Sequence, residues 1–148
     1  MLIMKGLKIA VASDHAGFEC KQTVLKFLQE QGIEYKDFGT YSAESCDYPD
    51  YAHPLSDAVS RGEFDKGITL CGSGNGINMT ANKHKGIRSA ICWLPEIAKL
   101  ARLHNDANVC ALPARYISNN EAIEILKVFL TTEFEGGRHL TRINKIPV

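Results

Sequence analysis

A chain of 148 residues with 17 basic and 17 acidic side chains has no net charge and is long enough for one domain with a sizeable core. Its charges are dispersed without a basic block, which argues against a nucleic-acid partner. No run reaches the roughly 20 apolar residues of a membrane span, and lysines at 5 and 8 break the apolar start, which lacks the layout of a signal peptide.

The elements follow in chain order. "LKIAVAS" (7–13) reads as a strand and "GFECKQTVLKFLQEQG" (17–32) as a helix. Phe18, Cys20, Val24, Leu25, Phe27 and Leu28 fall on its apolar half, and Gly32 ends it. Residues 34–39 form a shorter strand, and 48–62 are helical beyond Pro54. Strand 66–71 leads to helix 75–84, strand 87–93 to helix 95–105, and strand 108–112 to the amphipathic helix 119–134. Pro95 suits a first helical turn, and the tail 135–146 adds a short helix. Alternating strands and helices with short connections predict one α/β domain over 1–148. It is Rossmann-like, with three α/β/α layers around a five-stranded parallel sheet.

Ligands of such sheets collect outside the carboxyl ends of the strands. Those tips are Asp14 and His15, the loop after Phe38, Cys71 to Gly76, Trp93 and Leu94, and Pro113 to Arg115. The loop "CGSGNG" (71–76) is the most distinctive. A dinucleotide fingerprint would place its third glycine at Ile77 and follow the first strand rather than the third. A Walker loop lacks its lysine, and a cysteine phosphatase lacks the arginine six residues on, where Ile77 stands again. What remains is a glycine loop opening a helix, whose amides and dipole favour negative charge and lower the pKa of a thiol there relative to a buried one. Cys20, Cys92 and Cys110 read as small core hydrophobes, whereas the strand tip favours a reactive Cys71. Five cysteines, an odd number without a CxxC pair, fit reduced thiols in the cytoplasm. They have no zinc-ligand spacing.

Six motifs together resemble the type B ribose-5-phosphate isomerase family, which also contains galactose-6-phosphate isomerases. They are "SDHAGF" (13–18), "DYPDYA" (47–52), "CGSGNGI" (71–77), "ANKHKGIR" (81–88), "RLHNDANV" (102–109) and "EGGRHLTR" (135–142). The resemblance implies aldose–ketose isomerisation of a sugar phosphate with no metal or cofactor. It implies Cys71 as the base that moves a proton between C1 and C2, at a pKa near neutral, with Ser73 as the loop hydroxyl. Amides of Gly72, Ser73, Gly74, Asn75 and Gly76 become candidates for enediolate stabilisation. His104 corresponds to the acid that opens the sugar ring, although its spacing from Ile97 and Leu100 equally fits a packed histidine. Arg138 and Arg142, four apart, with Arg115, match the phosphate grip; Asp14, His15 and Asn105 match substrate contacts. Asp47 and Tyr48 carry no role legible from sequence, Arg88 reads as a carboxylate partner, and His53, His84 and His139 read as surface or structural.

A helix starting at Pro95 runs away from the carboxyl edge, which puts His104 roughly 15 Å from it. A second subunit is therefore expected to complete each site. The resemblance likewise implies a homodimer, alone or paired into a tetramer. The substrate reading is ribose 5-phosphate, with allose or galactose 6-phosphate as the rival. A nucleotide-binding sensor domain is the alternative outside this chemistry, and it leaves Cys71, His104 and the arginine pair unexplained.

Overall fold

The computed structural model describes Met4 and residues 6–148. The elements are β1 (Lys8–Ser13), α1 (Phe18–Glu30), β2 (Glu34–Asp37), α2 (Tyr48–Ser60), β3 (Lys66–Cys71), α3 (Asn75–Ala81), β4 (Ser89–Ile91), α4 (Pro95–Asn105), β5 (Val109–Pro113), α5 (Asn119–Thr131) and α6 (Arg138–Ile143). All strand pairs are parallel, in the order β2-β1-β3-β5-β4, so the connection from β3 to β4 skips the place that β5 later fills. The α/β architecture with a five-stranded parallel sheet matches the expectation from sequence.

Alternation along the strands sorts the core into two faces. Ile9, Val11, Ile68, Leu70, Cys110 and Leu112 pack with α1, α4 and α5. Ala10, Ala12 and Val109 pack with Leu55 and Val59 of α2 and Ala81 of α3. Cys71 lies on this second face, clustered with Ala52, Ile77 and Ala111. Among the described residues no helix is long and apolar enough to cross a membrane.

Several boundaries differ from the reading of the sequence. Helix α2 starts at Tyr48, well before Pro54, because Pro49 sits in its first turn, where a missing N–H costs nothing; Pro54 is carried inside on an exposed position. Strand β4 shrinks to three residues at the sheet edge, and the side chain of Asn82 takes the place of a further strand there. Its Nδ2 donates to the Ser89 carbonyl at 2.9 Å, and its Oδ1 accepts the Ser89 N–H at 2.8 Å. Helix α5 opens on a reciprocal capping box between Ser118 and Glu121.

Lys21 departs furthest from its expected setting. A lysine on a surface helix ordinarily reaches water, yet this one is fully buried beneath the segment that follows β2.

Candidate active site

The sheet delivers two groups of side chains, one at each of its ends. At the carboxyl end β3 stops at Cys71, which is 5 % exposed. The following turn needs glycine twice. Gly74 sits at φ +81°, and a Cβ on Gly76 would come within 2.4 Å of the Tyr48 ring. The first places the Gly74 N–H on the Cys71 sulfur at 3.2 Å, and the second lets Tyr48 lie flat against the loop. Ser73 Oγ accepts the Asn75 N–H at 3.2 Å, which leaves its own proton available. Arg115 follows β5, its N–H donates to the Gly72 carbonyl at 3.1 Å, and its side chain lies along Gly72.

Asp14 and His15 complete this end from the tip of β1. Asp14 is buried, its Oδ1 accepts the Gly17 N–H at 3.1 Å and so starts α1, and its charge reaches Cys71. His15 Nδ1 meets the backbone of Cys46, with 3.2 Å to both the carbonyl and the N–H. An open cavity of about 530 Å³ lies beside the loop, lined by Ser73, Asn75, Ile91, Trp93, Pro113 and Tyr116.

The pKa of Cys71 differs from the expectation of a near-neutral thiolate. Burial raises it, and the Asp14 carboxylate adds to the rise; the amides of Ile77, Gly74 and Ser73 pull it back without prevailing. The loop amides thus act on the sulfur itself, ahead of any charge formed on a substrate.

His104, Asn105, Arg138 and Arg142 are at the other end. Helix α4 leaves the carboxyl edge at Pro95, and its eleven residues at about 1.5 Å each carry His104 to the amino edge. The helix ends where Asp106 turns left-handed at φ 45°. That turn is held by buried Arg102, which bonds Asp106 Oδ1 at 2.8 Å, the Ala107 carbonyl at 2.7 Å and the Thr132 carbonyl at 2.9 Å. Arg88 grips the same turn through the Asn105 carbonyl and Asp106, in agreement with its reading as a carboxylate partner.

The Glu135 N–H donates to the Leu103 carbonyl and docks the tail on α4. His104 then stacks on His139, with ring centroids 4.3 Å apart and planes 12° from parallel. Glu135 Oε2 lies 3.9 Å from His104 Nε2 and 4.0 Å from His139 Nε2. His139 is therefore a buried neighbour of the candidate acid and not a surface group, and its Nε2 has no hydrogen-bond partner. Burial and the positive neighbours His104, Arg138 and Arg142 lower its pKa, against the opposing pull of Glu135. Arg138 and Arg142 project from successive turns of α6, both exposed, and neither is in an ion pair among the described residues.

The three groups His104, Glu135 and His139 offer ligand atoms within 4.8 Å of one another. Stacked rings hold their in-plane lone pairs in parallel planes, so the two nitrogens do not converge on one metal ion. Two adjacent arginines also make the place unfavourable for a cation. Tyr48, Glu135 and His139 are the site residues to which sequence reasoning assigned no part. The motif spacings contained them, but only the tertiary contacts give them neighbours.

A family model described as Ribose/Galactose Isomerase matches residues 9–146. Ribose-5-phosphate isomerase B of Escherichia coli is 45 % identical over 139 residues, which are 94 % of this chain and 93 % of that protein. A crystal structure of a ribose 5-phosphate isomerase from Thermotoga maritima superposes with a TM-score of 0.94 at 51 % identity, covering 95 % of this chain and 97 % of that one. The ribose-5-phosphate isomerase B of Mycoplasma genitalium, solved with bound ribulose-5-phosphate, gives a TM-score of 0.91 at 40 % identity, covering 95 % and 94 %.

Proposed function

The chain belongs to the ribose/galactose isomerase family, and on that premise we propose that it interconverts ribose 5-phosphate and ribulose 5-phosphate at a site shared between two copies. The observation that carries the shared site is the division of the candidate residues between opposite ends of one sheet. Cys71 with its loop supplies a proton-transfer centre, with Arg115 beside Gly72 but without the arginine pair of α6. His104 with the arginine pair supplies a grip and an acid but lacks the thiol and its loop of amides. A two-fold axis that sets the carboxyl end of one copy against the amino end of another joins the two. A homodimer is the smallest such assembly, and two dimers make the tetramer.

In the joined site Arg138 and Arg142 fork the phosphate dianion. His104 protonates the ring oxygen of the closed sugar while the O1 proton leaves, which gives the open aldehyde. Cys71 as thiolate then takes the C2 proton, and the electron pair of that C–H bond forms the C1–C2 double bond of the enediolate, with the charge on O1. The O2 proton passes to O1, which moves the charge to O2; the thiol then returns its proton to C1 as the C2–O2 carbonyl forms, and the ketose results with Cys71 again a thiolate. Ser73 donates to a substrate oxygen. Asp14, His15 and Asn105 orient the hydroxyls, and the loop amides from Gly72 to Gly76 first stabilise the thiolate and then the oxyanion beside it. No cofactor enters this scheme. Five free cysteines suit a reducing cytoplasm.

Steady-state kinetics on ribose 5-phosphate, allose 6-phosphate and galactose 6-phosphate test the assignment. The expected result is a kcat/KM that favours the pentose by about tenfold or more; an equal preference for a hexose phosphate overturns it.

A further inference from the structure

We propose that Lys21, which takes no part in the chemistry, is the positioning residue that shapes the substrate face of the Cys71 end. The inference rests on the isomerase reading above and adds a residue to it. Lys21 is fully buried on α1. Its Nζ donates to Asp37 Oδ1 at 2.6 Å and to the Thr40 carbonyl at 2.5 Å, between the rings of Phe18 and Tyr41 at 5.8 and 5.5 Å. Asp37 Oδ1 also accepts the Gly39 N–H at 2.9 Å, so one ammonium and one carboxylate tie down two successive residues beyond β2.

Those residues clasp the tip of β1. The Ser13 N–H donates to the Gly39 carbonyl at 2.7 Å, and the Thr40 N–H donates to the Ser13 carbonyl at 2.8 Å. Asp14 and His15 follow directly. The same segment then arcs over to place Cys46 on His15 and, two residues later, Tyr48 on Gly76. Asp14 and His15, the proposed substrate contacts, and Tyr48, which packs on the glycine loop, thus share an anchor that touches none of them.

A buried ammonium is an expensive way to fill space, and an apolar side chain of equal length would pack against the sheet at no desolvation cost. What the apolar chain cannot do is hold a carbonyl and a carboxylate at fixed points. The ammonium therefore determines the path of the segment more than the stability of the core.

The test compares wild type, Lys21→Met and Asp37→Asn by steady-state kinetics with ribose 5-phosphate and by peptide-resolved iodoacetamide labelling. Expected in both variants is a KM raised about tenfold or more with kcat within about threefold of wild type. Half-buried Cys46 should label about fivefold faster or more, while the core thiols Cys92 and Cys110 stay as protected as in wild type. Wild-type KM and wild-type Cys46 labelling in a folded variant overturn the proposal. Simultaneous exposure of Cys46, Cys92 and Cys110 in both variants also overturns it, because Lys21 then serves only the fold. Failure of the isomerase reading shows separately, as absent turnover by wild type, and the Cys46 labelling still reports on the anchor.

Discussion

At the carboxyl end of the sheet, Cys71 is 5 % exposed, packed on Ala52, Ile77 and Ala111, with its sulfur met by backbone amides of one tight glycine turn. At the amino end, the His104 side chain is 41 % exposed and is surrounded by the side chains of Glu135, His139 and the arginines of α6. The first arrangement leaves little freedom and tunes one atom. The second gathers exposed charge on α6 and the end of α4, suited to a phosphate that must enter and leave. Under the proposed mechanism the contrast teaches that the fold would separate proton transfer at carbon from the handling of charge, and that a second copy would reunite them.

The sharpest break of that comparison is Cys71→Ala. It should lower kcat/KM by about 10³-fold or more with the circular dichroism spectrum unchanged, because only the base is lost. Mixed with an inactive His104→Ala protein and allowed to exchange subunits, it should recover about a quarter of wild-type activity. Half of the dimers are then hybrids, each with one intact site of two. No recovery after verified exchange would mean that both residues act within one chain.

Next in size, Arg138→Ala with Arg142→Ala should raise KM for the sugar phosphate by about a hundredfold and leave the iodoacetamide reactivity of Cys71 in the unliganded protein unaltered. Altered Cys71 reactivity would blur the division between the two ends.

The pH dependences should also separate. Cys71 is raised by burial, so its thiolate fraction and its alkylation rate climb with pH through the alkaline range. His139 is depressed, so its contribution to stability is full above the ordinary imidazole range and is lost as pH falls through its lowered pKa. Thermal melts from pH 8 down to 4 should therefore show a loss of stability that His139→Asn reduces and Cys71→Ala does not. The smallest expected effect is Gly74→Ala. It forces a side chain into φ +81° at a cost of about 1–2 kcal/mol, read as a lower denaturant midpoint.

The carboxyl end was also the more readable from sequence, for physical reasons. Glycines 74 and 76 exist because a turn and a close ring contact demand them, so their spacing carries structural information by itself. The direction of the Cys71 pKa was not readable, because desolvation depends on Ala52, Ile77 and Ala111, which only the tertiary fold brings together. At the amino end the four-residue step from Arg138 to Arg142 survived as one short helix. Of the two readings open for His139 between them, surface or structural, burial removes the first; nothing local tells a histidine that it will stack on another 35 residues earlier in the chain. The burial of Lys21 was not legible either, because its partners Asp37 and Thr40 lie at the end of β2 and just beyond it. The α/β alternation was legible throughout, but the insertion of β5 between β3 and β4 left no local trace.

The Asn82 side chain at the sheet edge has a consequence for the crowded cell. A parallel sheet that ends in a bare strand offers a template on which another polypeptide can add itself. Here one carboxamide answers both the N–H and the carbonyl of Ser89, as a neighbouring peptide unit would, so the first position of that template is already taken. The same planar group makes this end of β4 a poor place for a further strand to begin.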